Sequence, residues 1–183
     1  MEIIRKIYLF LLDTVQTFLI AAAVFLVIYV FLFRPFEVKG ESMLPNFYDK
    51  EYVLTNLIIL RFQTPKLGDV IVFKAPPEPD KDYIKRIIGT PGDTVSIKEG
   101  KVYLNDKMLN ENEYLKPDVK TFAGEFLSEG QTVKVPQDEY FVLGDNRQAS
   151  SDSRKWGEVA RKNIIGRAWL RAWPFVRLGA VNK

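Results

Sequence analysis

Two patterns of hydrophobic and polar positions divide the chain. From Thr14 to Phe33 there is no charged residue, and from Phe18 to Phe33 nearly every side chain is apolar. About 20 such residues in a helix span roughly 30 Å, the hydrocarbon thickness of a bilayer. A helix also satisfies its own backbone groups, as lipid requires. The run predicts a transmembrane anchor over 14–33, with a short juxtamembrane segment, 1–13, before it. A cleaved secretory signal fits less well, because the run exceeds an h-region and no small-x-small site follows it. A buried soluble helix that is apolar on all sides for this length is unusual. Arg5 and Lys6 precede the run with Glu2 and Asp13, and Arg34 and Lys39 follow it with Glu37 and Glu41. The positive-inside count is therefore close to a tie, and charge alone does not set the orientation.

After Arg34-Pro35 the pattern changes to short runs rich in β-branched and aromatic residues, separated by Gly, Pro, Asn and Asp. These predict strands over 52–54, 69–73, 83–88, 94–97, 101–104, 132–135, 140–143 and 164–173. Asn105-Asp106-Lys107 reads as a hairpin tip. The stretch Ala75-Pro76-Pro77-Glu78-Pro79-Asp80 predicts neither helix nor central strand. The expected fold is mostly β, a domain over 34–183 on a helical tether. Residues from about 98 to 136 are more polar and irregular and form a small excursion from it.

A length of 183 residues suits one domain plus an anchor. The net charge of +3, with no basic block, gives no support to nucleic-acid binding. The chain has no cysteine and no histidine. That excludes disulfides and thiolate metal sites, leaves zinc without its usual ligands, and no EF-hand-like spacing is present. No metal and no cofactor is expected.

The same absences bear on Ser42, in Gly40-Glu41-Ser42-Met43-Leu44-Pro45 just past the apolar run. Read alone, a serine there is a turn or cap residue. As a nucleophile it would need a base that is not imidazole, and Lys85 is the leading candidate. On a strand, Tyr83, Lys85 and Ile87 share one face, and Ile84 and Arg86 take the other. Lys85 then either snorkels to solvent or sits in an apolar setting that lowers its pKa. A free lysine is neutral at pH 7 about once in 2,500 molecules, which corresponds to about 4.6 kcal/mol. Burial can remove several units of that deficit, so a buried lysine can deprotonate a serine. The Gly-bounded loop from Gly144 to Gly157 packs opposite charges with hydroxyls. It is either a solvated surface loop or a rigid polar platform. In the second case Asp145, Arg147, Asp152 and Arg154 pair with one another, and one hydroxyl aims the lysine amine.

Together these motifs resemble the type I signal peptidases, bacterial membrane-bound serine proteases with a Ser-Lys dyad. The resemblance covers nearly the whole chain: the anchor, then Ser42-Met43-Leu44-Pro45, Gly68-Asp69-Val70-Ile71-Val72-Phe73, Lys85-Arg86-Ile87-Ile88-Gly89-Thr90-Pro91-Gly92-Asp93 and the Gly144 loop, in the family's order. It implies a β-sheet, partly barrel-like catalytic domain with a small β extension. It implies Ser42 as nucleophile, Lys85 as general base, Ser150 as hydrogen-bond partner of the lysine amine, and Asp152 with Arg154 as a supporting ion pair. The Ser42 N–H would donate to the oxyanion. Gly40 stands where some members have a second, serine donor, and Asn46 stands where threonine is common. With Gly40, the residues Phe36, Val38, Met43, Tyr83 and Ile84 match substrate-facing positions that line shallow pockets, although each of these five also suits ordinary core packing.

The implied activity is removal of signal peptides from exported preproteins after a small-x-small sequence. The implied place is a bacterial plasma membrane, with one span and the catalytic domain on the outer face. Trp169 to Arg177 mixes aromatics with arginine, which suits a strand with one packed face and also a lipid interface. Two other functions compete: a catalytically silent membrane-anchored β module that binds exported peptides, and a Ser-Lys self-cleaving regulator. The first has no need of a lysine on its groove face. The second normally carries a DNA-binding domain and a cleavable linker, and neither is visible here.

Overall fold

The computed structural model describes residues 1–181. Helix α1 spans Glu2–Leu32, about 46 Å at 1.5 Å per residue. Its part apolar enough to cross a membrane is Glu2–Val27, with a mean hydropathy of 2.1. The helix runs unbroken through the segment 1–13. Asp13 does not interrupt it, and the hydroxyls of Thr14 and Thr17 donate back to the carbonyls of Phe10 and Asp13, each at 2.8 Å. The described side chains of α1 are exposed, with nothing from the rest of the protein packed on them. An apolar rod of this kind needs an apolar medium around it.

At its far end the helix yields to strand β1 (Phe33–Glu37), one residue inside the expected anchor. Pro35 accounts for the change. Its ring disfavours helical geometry at Arg34, and it has no N–H to donate. The ring of Phe33 lies 5.1 Å from that of Trp169, which fastens this junction to the sheet.

The remaining elements are β2 (Tyr52–Asn56), α2 (Ile59–Phe62), β3 (Val70–Ala75), β4 (Glu78–Gly89), β5 (Thr94–Lys98), β6 (Lys101–Leu104), β7 (Lys107–Met108), β8 (Thr132–Lys134), β9 (Glu139–Leu143), α3 (Ser153–Trp156), β10 (Val159–Ala160), β11 (Ile164–Trp173) and β12 (Gly179–Ala180). Every expected run overlaps one of these strands. An antiparallel sheet has the order β1-β2-β11-β3-β4-β9-β10, with β12 on β11, and a smaller one has the order β7-β6-β5-β8. The fold is therefore mostly β, and the small sheet is its extension. Asn105 and Asp106, at φ 51° and 62°, form the tip between β6 and β7.

β4 corrects the expectation for the proline-rich stretch. The strand begins at Glu78 and takes in Pro79 and Asp80. This end pairs with β3 alone and has a register shift between Lys74 and Ala75. An open edge and an irregular register are the settings in which a strand accepts proline.

Side chains on β9 alternate between two cores, as the period of a strand requires. Tyr140 and Val142 join Ile71, Phe73, Ile87 and Val159. Phe141 and Leu143 join Ile88 of β4 and, from the extension, Val95, Ile97, Val102, Leu127 and Val135. The extension is thus docked on the two strands that lead into the candidate site. Gly89 marks the close approach, since a Cβ there would lie 2.8 Å from Val95 Cγ2. A third core, of Val38, Met43, Phe47, Val53, Val70 and Ala168, lies under the turn that carries Ser42.

Candidate active site

The turn from Ser42 to Phe47 is pinned from both sides. Below, Met43 and Phe47 are buried in the third core. Above, the Asn146 N–H donates to the Ser42 carbonyl at 3.0 Å, and Asn146 Nδ2 donates to the Glu41 carbonyl at 3.1 Å. Gly40 precedes the turn at φ 84°, in the left-handed region, and its N–H donates to Asp49 Oδ1 at 2.7 Å. Only glycine enters that region without a steric cost.

Lys85 reaches this turn from β4. Its Nζ lies 2.7 Å from Ser42 Oγ and 2.9 Å from the Ile84 carbonyl. The side chain is 3% exposed. Burial pushes the amine down to about 8 from its ordinary 10.5, against the upward pull of Asp152 and Asp145. The Tyr83 ring lies 5.2 Å from Nζ, on the face that the strand period assigns to both residues.

The expected ring of ion pairs within the Gly144 loop forms only in part. Arg154 grips Asp152 with two bonds of 2.8 Å, and Asp152 also accepts from the Gly144 N–H at 3.1 Å. Asp145 and Arg147, however, do not pair inside the loop. Asp145 is held by Arg86 at 2.9 and 2.8 Å and by Asn46 Nδ2 at 2.8 Å. Arg147 is held by Glu111 at 3.1 and 2.5 Å, by Thr121 at 2.6 Å and by the Gly144 carbonyl at 3.1 Å. The reason is topological: β4 and the segment before β8 bring charges to the loop from outside it, and a buried charge takes the partner that desolvates with it.

Ser150 is also corrected. It is buried, but its Oγ has no hydrogen-bond partner among the described residues. The expected bond to the lysine amine is absent, and that amine bonds to Ser42 and Ile84. Ser150 is nonetheless packed against the site. A Cβ on Gly144 would collide with Ser150 Oγ and lie 2.5 Å from the Ser42 carbonyl oxygen.

A cleft of about 830 Å³ opens beside the Ser42–Lys85 pair. Phe36, Val38 and Gly40 line one wall, Tyr83 and Ile84 the other, with Val53 and Val72 between them. Five of the six expected substrate-facing residues are therefore brought together. The sixth, Met43, is fully buried in the third core and supports the turn from below. Both walls are open strand edges. β1 pairs with β2 alone, and β4 pairs with β9 only from Arg86 onward. The residues missed by sequence reasoning are Arg86, Asn46 and Glu111. For Arg86 a signal existed: a charged residue between apolar strand positions needs a buried carboxylate.

Residues 11–173 match the family of signal peptidase, peptidase S26. The chain belongs to this family. A signal peptidase I from Leptolyngbya laminosa is 37% identical over 179 residues, covering 94% of this chain and 84% of that one. Signal peptidase I P from Bacillus subtilis subsp. natto is 37% identical over 176 residues, covering 92% of each. A crystal structure of a signal peptidase I from Enterococcus faecalis aligns at 30% identity with a TM-score of 0.47, covering 57% of this chain and 97% of that one.

The depressed lysine has a consequence for stability. Folding disfavours the ammonium, so the cost is present in full below about pH 8 and is gone above 10.5. A shift of this size corresponds to about 3 kcal/mol. Lys85→Met should therefore be more stable than the wild type at pH 6, with a gain that shrinks toward pH 10. Paired denaturant titrations at the two pH values measure this. A difference that does not change with pH would contradict it.

Proposed function

We propose that this chain is a membrane-anchored serine endopeptidase that removes signal peptides from preproteins, with Ser42 as nucleophile and Lys85 as general base. The observation that carries the assignment of roles is the 2.7 Å approach of a buried amine to a hydroxyl at the edge of an open cleft. With its pKa at about 8, Lys85 is neutral in about one molecule in ten at pH 7. The neutral amine accepts the Ser42 proton as Oγ attacks the scissile carbonyl. The Ser42 N–H, which has no acceptor among the described residues, is free to donate to the oxyanion. The ammonium then passes its proton to the leaving amine. The free base next activates a water, which cleaves the acyl-enzyme ester and releases Ser42.

The substrate lies extended in the cleft. The free edges of β1 and β4 offer it backbone hydrogen bonds. The apolar walls at Phe36, Val38, Tyr83 and Ile84 are close to Ser42, and they accept small side chains at alternate positions, which is the small-x-small pattern.

We place α1 in a bacterial plasma membrane as a single pass, with the catalytic domain on the extracytoplasmic face. A tether that passes from helix to cleft wall without a linker keeps Ser42 near the bilayer surface. The C-terminal aromatics join that surface: Phe175 and Val176 are 72% and 89% exposed, beside exposed Trp169 and Trp173. Isolated exposed apolar residues are ordinary, but a cluster of this kind needs a partner.

Cleavage of a preprotein in detergent tests the mechanism. Wild type should cut, with a rate that rises with pH through a midpoint near 8. Ser42→Ala and Lys85→Met should be inactive, and full activity in Lys85→Met would refute the assignment. For the surface, vesicles with brominated acyl chains should quench Trp173 in the reconstituted full chain. Fluorescence unchanged by bromination would remove the lipid contact.

A further inference from the structure

Asn46 sits where four groups from separate parts of the chain converge. Its Nδ2 donates one N–H to Asp145 Oδ2 and the other to the Tyr114 carbonyl, both at 2.8 Å. Asp145 is held on its other side by the Arg86 fork. The Arg86 guanidinium in turn lies 4.1 Å from the centre of the Tyr114 ring. The cluster is therefore closed: the turn after Ser42, the Gly144 loop, β4 beside Lys85, and the segment between β7 and β8. Both N–H groups of the amide are used. A threonine has one donor and could serve only one of the two acceptors, and an aspartate has none.

The geometry points to Asn46 as a positioning residue for the cleavage reaction. Its amide holds the Asp145 carboxylate in the Arg86 fork and locks the turn bearing Ser42 to the Tyr114 segment, so that Lys85 faces a carboxylate whose charge is engaged by donors. The inference rests on the Ser42–Lys85 reading and deepens it.

The charged groups around the amine make the sign clear. Asp145 and Asp152 in the Gly144 loop both favour the ammonium. Asp152 is neutralised by Arg154, and Asp145 by Arg86 with Asn46. On the nucleophile turn, Glu41 is exposed, and from β4 itself the Tyr83 ring faces Nζ. Any change at residue 46 that adds negative charge, or leaves Asp145 with fewer donors, holds the proton on Lys85 more tightly.

The test is kcat and KM against pH for the full-length chain in detergent, with melting temperatures, for wild type and three variants. Asn46→Asp should move the rising limb to higher pH by about half a unit or more, with KM unchanged and the rate recovering at alkaline pH. Asn46→Leu should move the limb in the same direction and lower kcat several-fold at every pH. Asn46→Thr, with one donor, should fall between wild type and leucine, and it decides the matter if the aspartate variant does not fold. A limb at the wild-type position in the folded variants, or a loss that appears only in KM, would overturn the proposal. A wild-type profile with no rising limb would instead overturn the Ser42–Lys85 reading on which it rests.

Discussion

In the proposed mechanism an amine must lose its proton at neutral pH while two carboxylates lie close by. That constraint explains more of the local structure than any other. Burial alone favours the neutral form of Lys85, but Asp145 and Asp152 favour the charged one. Burial wins, and the balance settles at about 8; each carboxylate is also gripped by its own arginine, which sets a cation beside each anion. Arg86 and Arg154 each make two bonds to their partner. Buried pairs of this kind are weak sources of stability, because desolvation offsets most of their attraction. Their value here lies in geometry and charge. They fix the loop that clamps the Ser42 carbonyl, and they shield the lysine from uncompensated anions.

The same constraint gives the extension a role. Glu111 and Thr121 satisfy Arg147, the Phe122 carbonyl accepts from Arg154 Nη1 at 3.0 Å, and Tyr114 meets Asn46 and Arg86. The segment between β7 and β8 is mostly irregular, yet it supplies partners to three of the loop's buried charges, either directly or through Asn46. Its shared core with β4 and β9 keeps those partners in register with the strand that carries Lys85.

Much of this was legible from the chain alone. The strand runs over 83–88 and 164–173 stood out because their β-branched and aromatic composition is dense and their boundaries are sharp. Ser42 and Lys85 stood out because no histidine or cysteine competes for their roles, and because their motifs occur in a family's order. β1 was hidden: it follows an apolar run without a break, and Pro35 argues against a strand unless the strand lies at an edge. Met43 was expected at a wall of the cleft because it matches a pocket position of the family, but the turn directs its side chain into the core. The pairings of Asp145 with Arg86 and of Arg147 with Glu111 join residues 59 and 36 positions apart. Local charge patterning favoured partners within the loop, and only the packing of strands shows which distant charge arrives. The Ile84 carbonyl, a partner of the amine, was hidden as well, since no motif announces a backbone acceptor.

On the proposed mechanism, Lys85 in the folded protein and without substrate is a base rather than an ordinary surface cation. Direct titration of its side chain tests this. Lysine labelled with carbon-13 at Cε reports its protonation state by NMR, and the Lys85 signal is identified by its loss in Lys85→Met. The expected midpoint is near 8, well below the ordinary lysine value of 10.5. A Lys85 signal that titrates near 10.5, the ordinary value for a lysine, would contradict this.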